Sequence, residues 1–164
     1  MTKRSGQGMT LVELVTVVAM LIILAGVSMP LFNAAITQSR LAGAVQRVAN
    51  DLRNARSLAV SQGGVYRLHS GDDGTQAGKY CLEQSATGLN PWSALTAWYS
   101  LDADYKGAAV ASIKDSASNT LYTVLFNAQG ASANAGNFPI SITITSPGGT
   151  KTIQVMRSGN IVVP

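Results

Sequence analysis

Few side chains in this 164-residue chain have the type and spacing to do chemistry. His69 and Cys81 are each the sole residue of their kind. A histidine with no second ligand or base near it in sequence reads as a sheet-surface residue rather than a general base. A single cysteine permits neither an intrachain disulfide nor a CxxC metal or haem motif. Within Lys79-Tyr80-Cys81-Leu82-Glu83 it reads as a small, half-buried hydrophobe. The acid clusters Asp72-Asp73 and Asp102-Ala103-Asp104 fit turn chemistry, since a calcium site wants roughly six or more oxygen ligands. No Ser-centred elbow, P-loop or dinucleotide fingerprint is present. The expectation is a protein that is not an enzyme and needs no cofactor or metal.

Glu13 is the acid that calls for an explanation. No other charged side chain follows it until Arg40, and Leu14 to Phe32 is a 19-residue run interrupted only by small or mildly polar residues and Pro30. That run has membrane length, because about 20 residues at 1.5 Å rise cross a hydrocarbon core of roughly 30 Å. An acid at the edge of such a span is costly unless it is paired, so it marks function by default. The net charge of +4 drops to +2 without residues 1–8, which hold Lys3 and Arg4 and no acid. A secretory signal would place its cleavage site after the apolar run. Here the small residues Ser5-Gly6-Gln7-Gly8 come before it, and the nearest A-x-A match, Ala42-Gly43-Ala44, lies well past its end. The apolar segment is therefore expected to stay in the mature chain, with the basic leader cytoplasmic and the C-terminal bulk across the membrane. A cut at Gly8 would leave a new α-amino group on Met9, four residues from Glu13, as a compensating charge.

These residues need a helix to carry them. Leu41, Val45, Val48, Leu52, Ala55 and Ala59 step by four and three, one stripe sustained for five turns. The spacing predicts a helix from about Thr10 to about Gln62, stopped by Gly63-Gly64 and kinked at Pro30. Arg40, Arg47, Arg53 and Arg56 do not converge on one line, so they read as a solvated face. Beyond the helix the pattern turns to short strands. Val65 to Ser70 and Lys79 to Gln84 flank the turn Gly71-Asp72-Asp73-Gly74. Ala97 to Leu101, Ala108 to Ile113, Thr120 to Asn127, Ile140 to Ser146, Thr150 to Met156 and Ile161 to Val163 follow. Trp92, Trp98 and Tyr99 read as an aromatic group on the loop side.

Gly8-Met9-Thr10-Leu11-Val12-Glu13-Leu14-Val15 before an uncharged run resembles the precursor signature of type IV pilins and pseudopilins. Asp51-Leu52-Arg53-Asn54-Ala55-Arg56-Ser57-Leu58-Ala59-Val60-Ser61 is similar to the helix end of the GspH/FimT group of minor pseudopilins and minor pilins. Phe126-Asn127-Ala128-Gln129-Gly130, Thr152 to Val155 and Gly159 to Val163 resemble that group's closing strands. The resemblance implies an α+β pilin fold: a long N-terminal helix, apolar and transmembrane in its first half and amphipathic in its second, packed on a C-terminal antiparallel β domain. It implies a leader at 1–8, a helix at 9–62 that spans the membrane to about residue 32, and a periplasmic β domain at 63–164. Prepilin peptidase would cut between Gly8 and Met9, Met9 would be N-methylated, Glu13 would serve assembly, and Pro30 would let the helix yield. Met9 stands where the family usually has Phe. Expected partners are other pilin or pseudopilin subunits, the peptidase and the inner membrane, in a type II secretion pseudopilus or a type IV pilus. An alternative role is a DNA-binding minor pilin for competence, but the C-terminus, Arg157 to Pro164, has one arginine where phosphate contacts need several clustered cations.

Overall fold

The computed structural model describes residues 9–71 and 76–164, with residues 27–31 described as backbone only. The chain divides into two compact units, Met1–Ile36 and Thr37–Pro164. Helix α1 covers Leu11–Gln62. The expected start differs by one residue, and the end falls before Gly63, whose positive φ of 70° suits a left-handed helix stop.

Among the described residues ten strands follow: β1 (Val65–Gly71), β2 (Gln76–Ser85), β3 (Ser93–Ala94), β4 (Tyr99–Ser100), β5 (Ala109–Lys114), β6 (Thr120–Leu121), β7 (Thr123–Phe126), β8 (Ile140–Ser146), β9 (Gly149–Val155) and β10 (Ile161–Val162). A single-turn helix α2 (Leu101–Asp104) lies between β4 and β5. One sheet has the order β3-β2-β1-β7, with β4 also pairing β2, and the other the order β10-β9-β8-β5-β6. Every pairing is antiparallel.

The predicted stripe is the buried face of α1. Leu41, Val45, Val48, Leu52, Ala55 and Ala59 are all buried, and Ala44 and Ala49 join them. They share one core with Tyr66, Leu68, Val124 and Phe126 of the first sheet and with Ile140, Ile142, Ile144, Ile153 and Val155 of the second. Alternation explains the selection: β8 buries Ile140, Ile142 and Ile144 and leaves Ser141 and Thr143 half-buried. Each large aliphatic side chain so buried stabilises the fold by about 1.5–3 kcal/mol.

Polar pairs close the seams. Tyr80 Oη donates to Asp51 Oδ2 at 2.6 Å, and Arg47 Nε donates to the same oxygen at 3.2 Å. Burial, then the Asp51 hydrogen bond, pushes the Tyr80 phenol well above its usual range, so it stays a donor.

Asp115, just after β5, organises a turn. Its Oδ1 accepts from the backbone N–H of Ala117 at 3.0 Å and of Asn119 at 2.8 Å. Its Oδ2 accepts from Asn119 Nδ2 at 2.9 Å and from the backbone N–H of Asn137 at 3.3 Å. The Asn119 side chain, more than the backbone donors, holds the carboxyl below its ordinary value, and burial only partly opposes it. A carboxyl with a depressed native pKa stabilises the fold fully above its unfolded value and loses that contribution as pH falls through the native one. Asp115→Ala is therefore expected to unfold more readily than the parent at neutral pH. The gap should shrink as pH drops below about 4. Urea midpoints measured from neutral pH down to about pH 2 check this, and a gap that stays constant counts against the assignment.

Two expectations need correction. No helix among the described residues is long and apolar enough to cross a membrane. The membrane-spanning half of α1 does not hold, and the single-pass inner-membrane placement falls with it. The second concerns the expected strand Ala97 to Leu101. It is a two-residue strand followed by α2, because Leu101 turns inward to full burial while Asp102 accepts from the backbone N–H of Gly107 at 2.5 Å. The turn residues Asp72, Asp73 and Gly74 lie outside the described residues.

Candidate functional site

Within the first unit, α1 shows apolar side chains on every side. Leu11, Val12, Leu14, Val15, Val17, Val18, Met20, Leu21, Ile22, Ile23 and Leu24 are all exposed, Leu11 at 79% and Leu24 at 64%. A helix apolar all round is not an amphipathic surface helix, and so large an exposed apolar patch marks an interaction surface. Glu13 stands in the first turn, where the helix dipole favours an acid. Thr10 Oγ1 accepts from the Glu13 backbone N–H at 3.3 Å, and the hydroxyl of Thr16 donates to the Glu13 carbonyl at 2.9 Å. No cation among the described residues pairs with the Glu13 carboxylate. Met9 precedes the helix and is 60% exposed. Gly8 lies outside the described residues; Pro30 lies within α1, with its side chain outside the description.

A second constellation sits on the outer face of the first sheet. The β1–β2 register sets His69 opposite Cys81 and Arg67 opposite Glu83. Alternation places all four on the face away from Tyr66 and Leu68. Arg67 Nε donates to Glu83 Oε2 at 2.5 Å, and His69 Nδ1 lies 3.4 Å from the same oxygen. The Arg67 guanidinium rests 3.9 Å from the centre of the Trp92 ring, and the rings of His69 and Trp98 are 5.2 Å apart. Cys81 is buried, and burial with the nearby Glu83 charge pushes its thiol up to about 12. His69 and Cys81, read singly as a surface histidine and a packed thiol, thus share one cluster. The expected aromatic group is split: Trp92 and Trp98 cover this cluster, while Tyr99 packs edge-on to Tyr80, with ring centres 5.6 Å apart.

The basic residues do not gather. Arg56 donates to the Gly130 carbonyl at 2.9 Å, Arg157 lies over the Phe138 ring, and Arg47 lies over Tyr99.

A long N-terminal helix carried into a two-sheet antiparallel β domain, with an exposed apolar N-terminal stretch bearing one acid, is the architecture of a pilin. The chain belongs to the GspH family: the family model for type II transport protein GspH matches residues 44–159. It is related to the GspH/FimT-type minor pilins. Solved structures show the same fold. The type IV minor pilin FimU of Pseudomonas aeruginosa is similar with a TM-score of 0.56 and 17% identity, over 77% of this chain and 89% of that one. The minor pseudopilin EpsH from the type II secretion system of Vibrio cholerae is similar with a TM-score of 0.57 and 11% identity, over 77% of this chain and 94% of that one. No curated protein matches the chain by sequence.

Proposed function

We propose that the chain is a minor subunit of a type II secretion pseudopilus or a type IV pilus, matured by prepilin peptidase and assembled through the first half of α1. The observation that carries this reading is the exposed apolar surface from Leu11 to Leu24 with the single acid Glu13 at its start. Residues 1–8 act as a leader, 9–62 as the assembly helix and 63–164 as the β domain displayed by the filament. Cleavage after Gly8 creates an amine on Met9, which N-methylation then modifies. Neighbouring helices cover the apolar surface, and the Met9 amine of one subunit neutralises Glu13 of the next. Pairing is needed because an isolated charge withdrawn from water costs several kcal/mol. Pro30 removes one helical hydrogen bond and gives the helix a point at which to yield. The partners are other pilin or pseudopilin subunits and the peptidase.

Mass spectrometry of the protein isolated from cells tests the reading. A chain beginning at N-methylated Met9 is the expected result. A chain that begins at Met1 in cells with an active peptidase overturns it.

A further inference from the structure

We propose that His69, Cys81 and Glu83 form a binding site for a borderline-soft divalent transition metal, zinc by preference, on the outer face of the β1–β2 hairpin. One ligand atom from each lies within 4.8 Å of the other two. The scaffold is rigid: His69 and Cys81 are directly opposed across the ladder, and Glu83 is two residues along β2 on the same face. Zinc bonds of about 2.0–2.3 Å require ligand atoms roughly 3.3–3.8 Å apart in a tetrahedron. His69 Nδ1 and Glu83 Oε2 already stand 3.4 Å apart. The cysteine sulfur lies within 4.8 Å of both, and a side-chain rotation toward them would complete three corners.

The donor set chooses the metal. Thiolate and imidazole favour zinc, cobalt or nickel over magnesium and calcium, which want an all-oxygen shell. Side-chain exposures of 18% at His69 and 14% at Glu83 leave a route for a water to take the fourth position. On binding, the sulfur–metal bond forms as the S–H bond breaks, and the proton passes to water with no change of oxidation state. Thiolate and carboxylate together balance the dication.

Arg67 is compatible with this site. The guanidinium also rests on the Trp92 ring, so it does not depend on Glu83 alone. Arg67 Nε donates to Oε2, the oxygen that also faces His69, so on binding Arg67 shifts to the second carboxylate oxygen as a supporting donor and leaves Oε2 to the metal. Trp98 against His69 restricts the imidazole in the same way.

Cobalt(II) titration of the purified, reduced, metal-free full chain is the test. The expected result is a near-ultraviolet thiolate-to-cobalt band with visible tetrahedral bands, saturating at one equivalent and bleached by zinc. Cys81→Ser should lose the near-ultraviolet band. His69→Gln and Glu83→Gln, at partly exposed positions, should each weaken cobalt binding by about 100-fold or more. Absence of the band in the parent protein, its persistence in Cys81→Ser, or unchanged affinity in His69→Gln overturns the proposal.

Discussion

Glu13→Ala is expected to leave cleavage after Gly8 intact and to abolish incorporation of the chain into filaments. The reasoning follows from the proposed assembly. Eleven exposed apolar side chains from Leu11 to Leu24 must find cover, and neighbouring helices of the same kind supply it. Such an interface has little water to solvate a charge, so the amine on Met9 needs Glu13 of its neighbour. Removing one member of a buried ion pair costs about 3–5 kcal/mol because the other is left unpaired. That corresponds to a loss of roughly 100- to 4,000-fold in association per contact. Glu13→Gln keeps a hydrogen-bond acceptor and should fall between the two. Shearing filaments from cells and comparing sedimented with total processed protein gives the measurement. Parental incorporation of Glu13→Ala would remove the pairing from the account while leaving the fold untouched.

The cores of both sheets and the second half of α1 were legible because one periodicity dominated each. Residues Ile140 to Ser146 alternate cleanly and form β8 with the expected bounds, and the stripe from Leu41 to Ala59 is buried throughout. At the N-terminus an uncharged run suggested a span, whereas no helix among the described residues is long and apolar enough to cross a membrane. The His69–Cys81–Glu83 cluster could not be read at all. It depends on a register shift between Ser70 and Gly71: Gly71 pairs with Gln76, but Ser70 pairs with Tyr80. Carried on without that shift, the register beginning at Gly71 would set His69 against Gly78, and no cluster would form. A bulge of this kind leaves no periodic trace. Its local marks are glycines: Gly71 at the shift, where a Cβ would overlap the Gln76 carbonyl, and Gly78 at a φ of 75°. Strand β3 was hidden for a similar reason, being two residues long and held by β2 rather than by its own pattern, and β4 fills only Tyr99–Ser100 of the strand expected over Ala97 to Leu101.

Gly159→Ala is the substitution expected to cost the β domain most. Gly159 sits in the turn from β9 to β10, where its backbone N–H donates to the Met156 carbonyl at 2.8 Å and Met156 N–H donates to the Asn160 carbonyl at 2.9 Å. Its φ of 77° is left-handed, which costs a residue with a Cβ about 1–2 kcal/mol. Strain is only part of the effect. A Cβ at 159 would overlap the Gly130 carbonyl oxygen and lie 3.1 Å from Arg56 Nε. That oxygen accepts the Arg56 hydrogen bond, which ties α1 to the loop after β7. Forcing the loop away sacrifices a charge-assisted bond of about 1.5–3 kcal/mol. The total, about 2.5–5 kcal/mol, is a large part of a typical domain stability of roughly 5–15 kcal/mol. Gly63→Ala supplies the comparison, because Gly63 has a similar φ of 70° and a Cβ there meets nothing within 4 Å. It should lose only the backbone term of about 1–2 kcal/mol. Urea denaturation of both variants separates the two contributions. Equal losses would mean that the contact between Gly159, Gly130 and Arg56 yields freely, and that the β9–β10 turn is not what anchors the helix end.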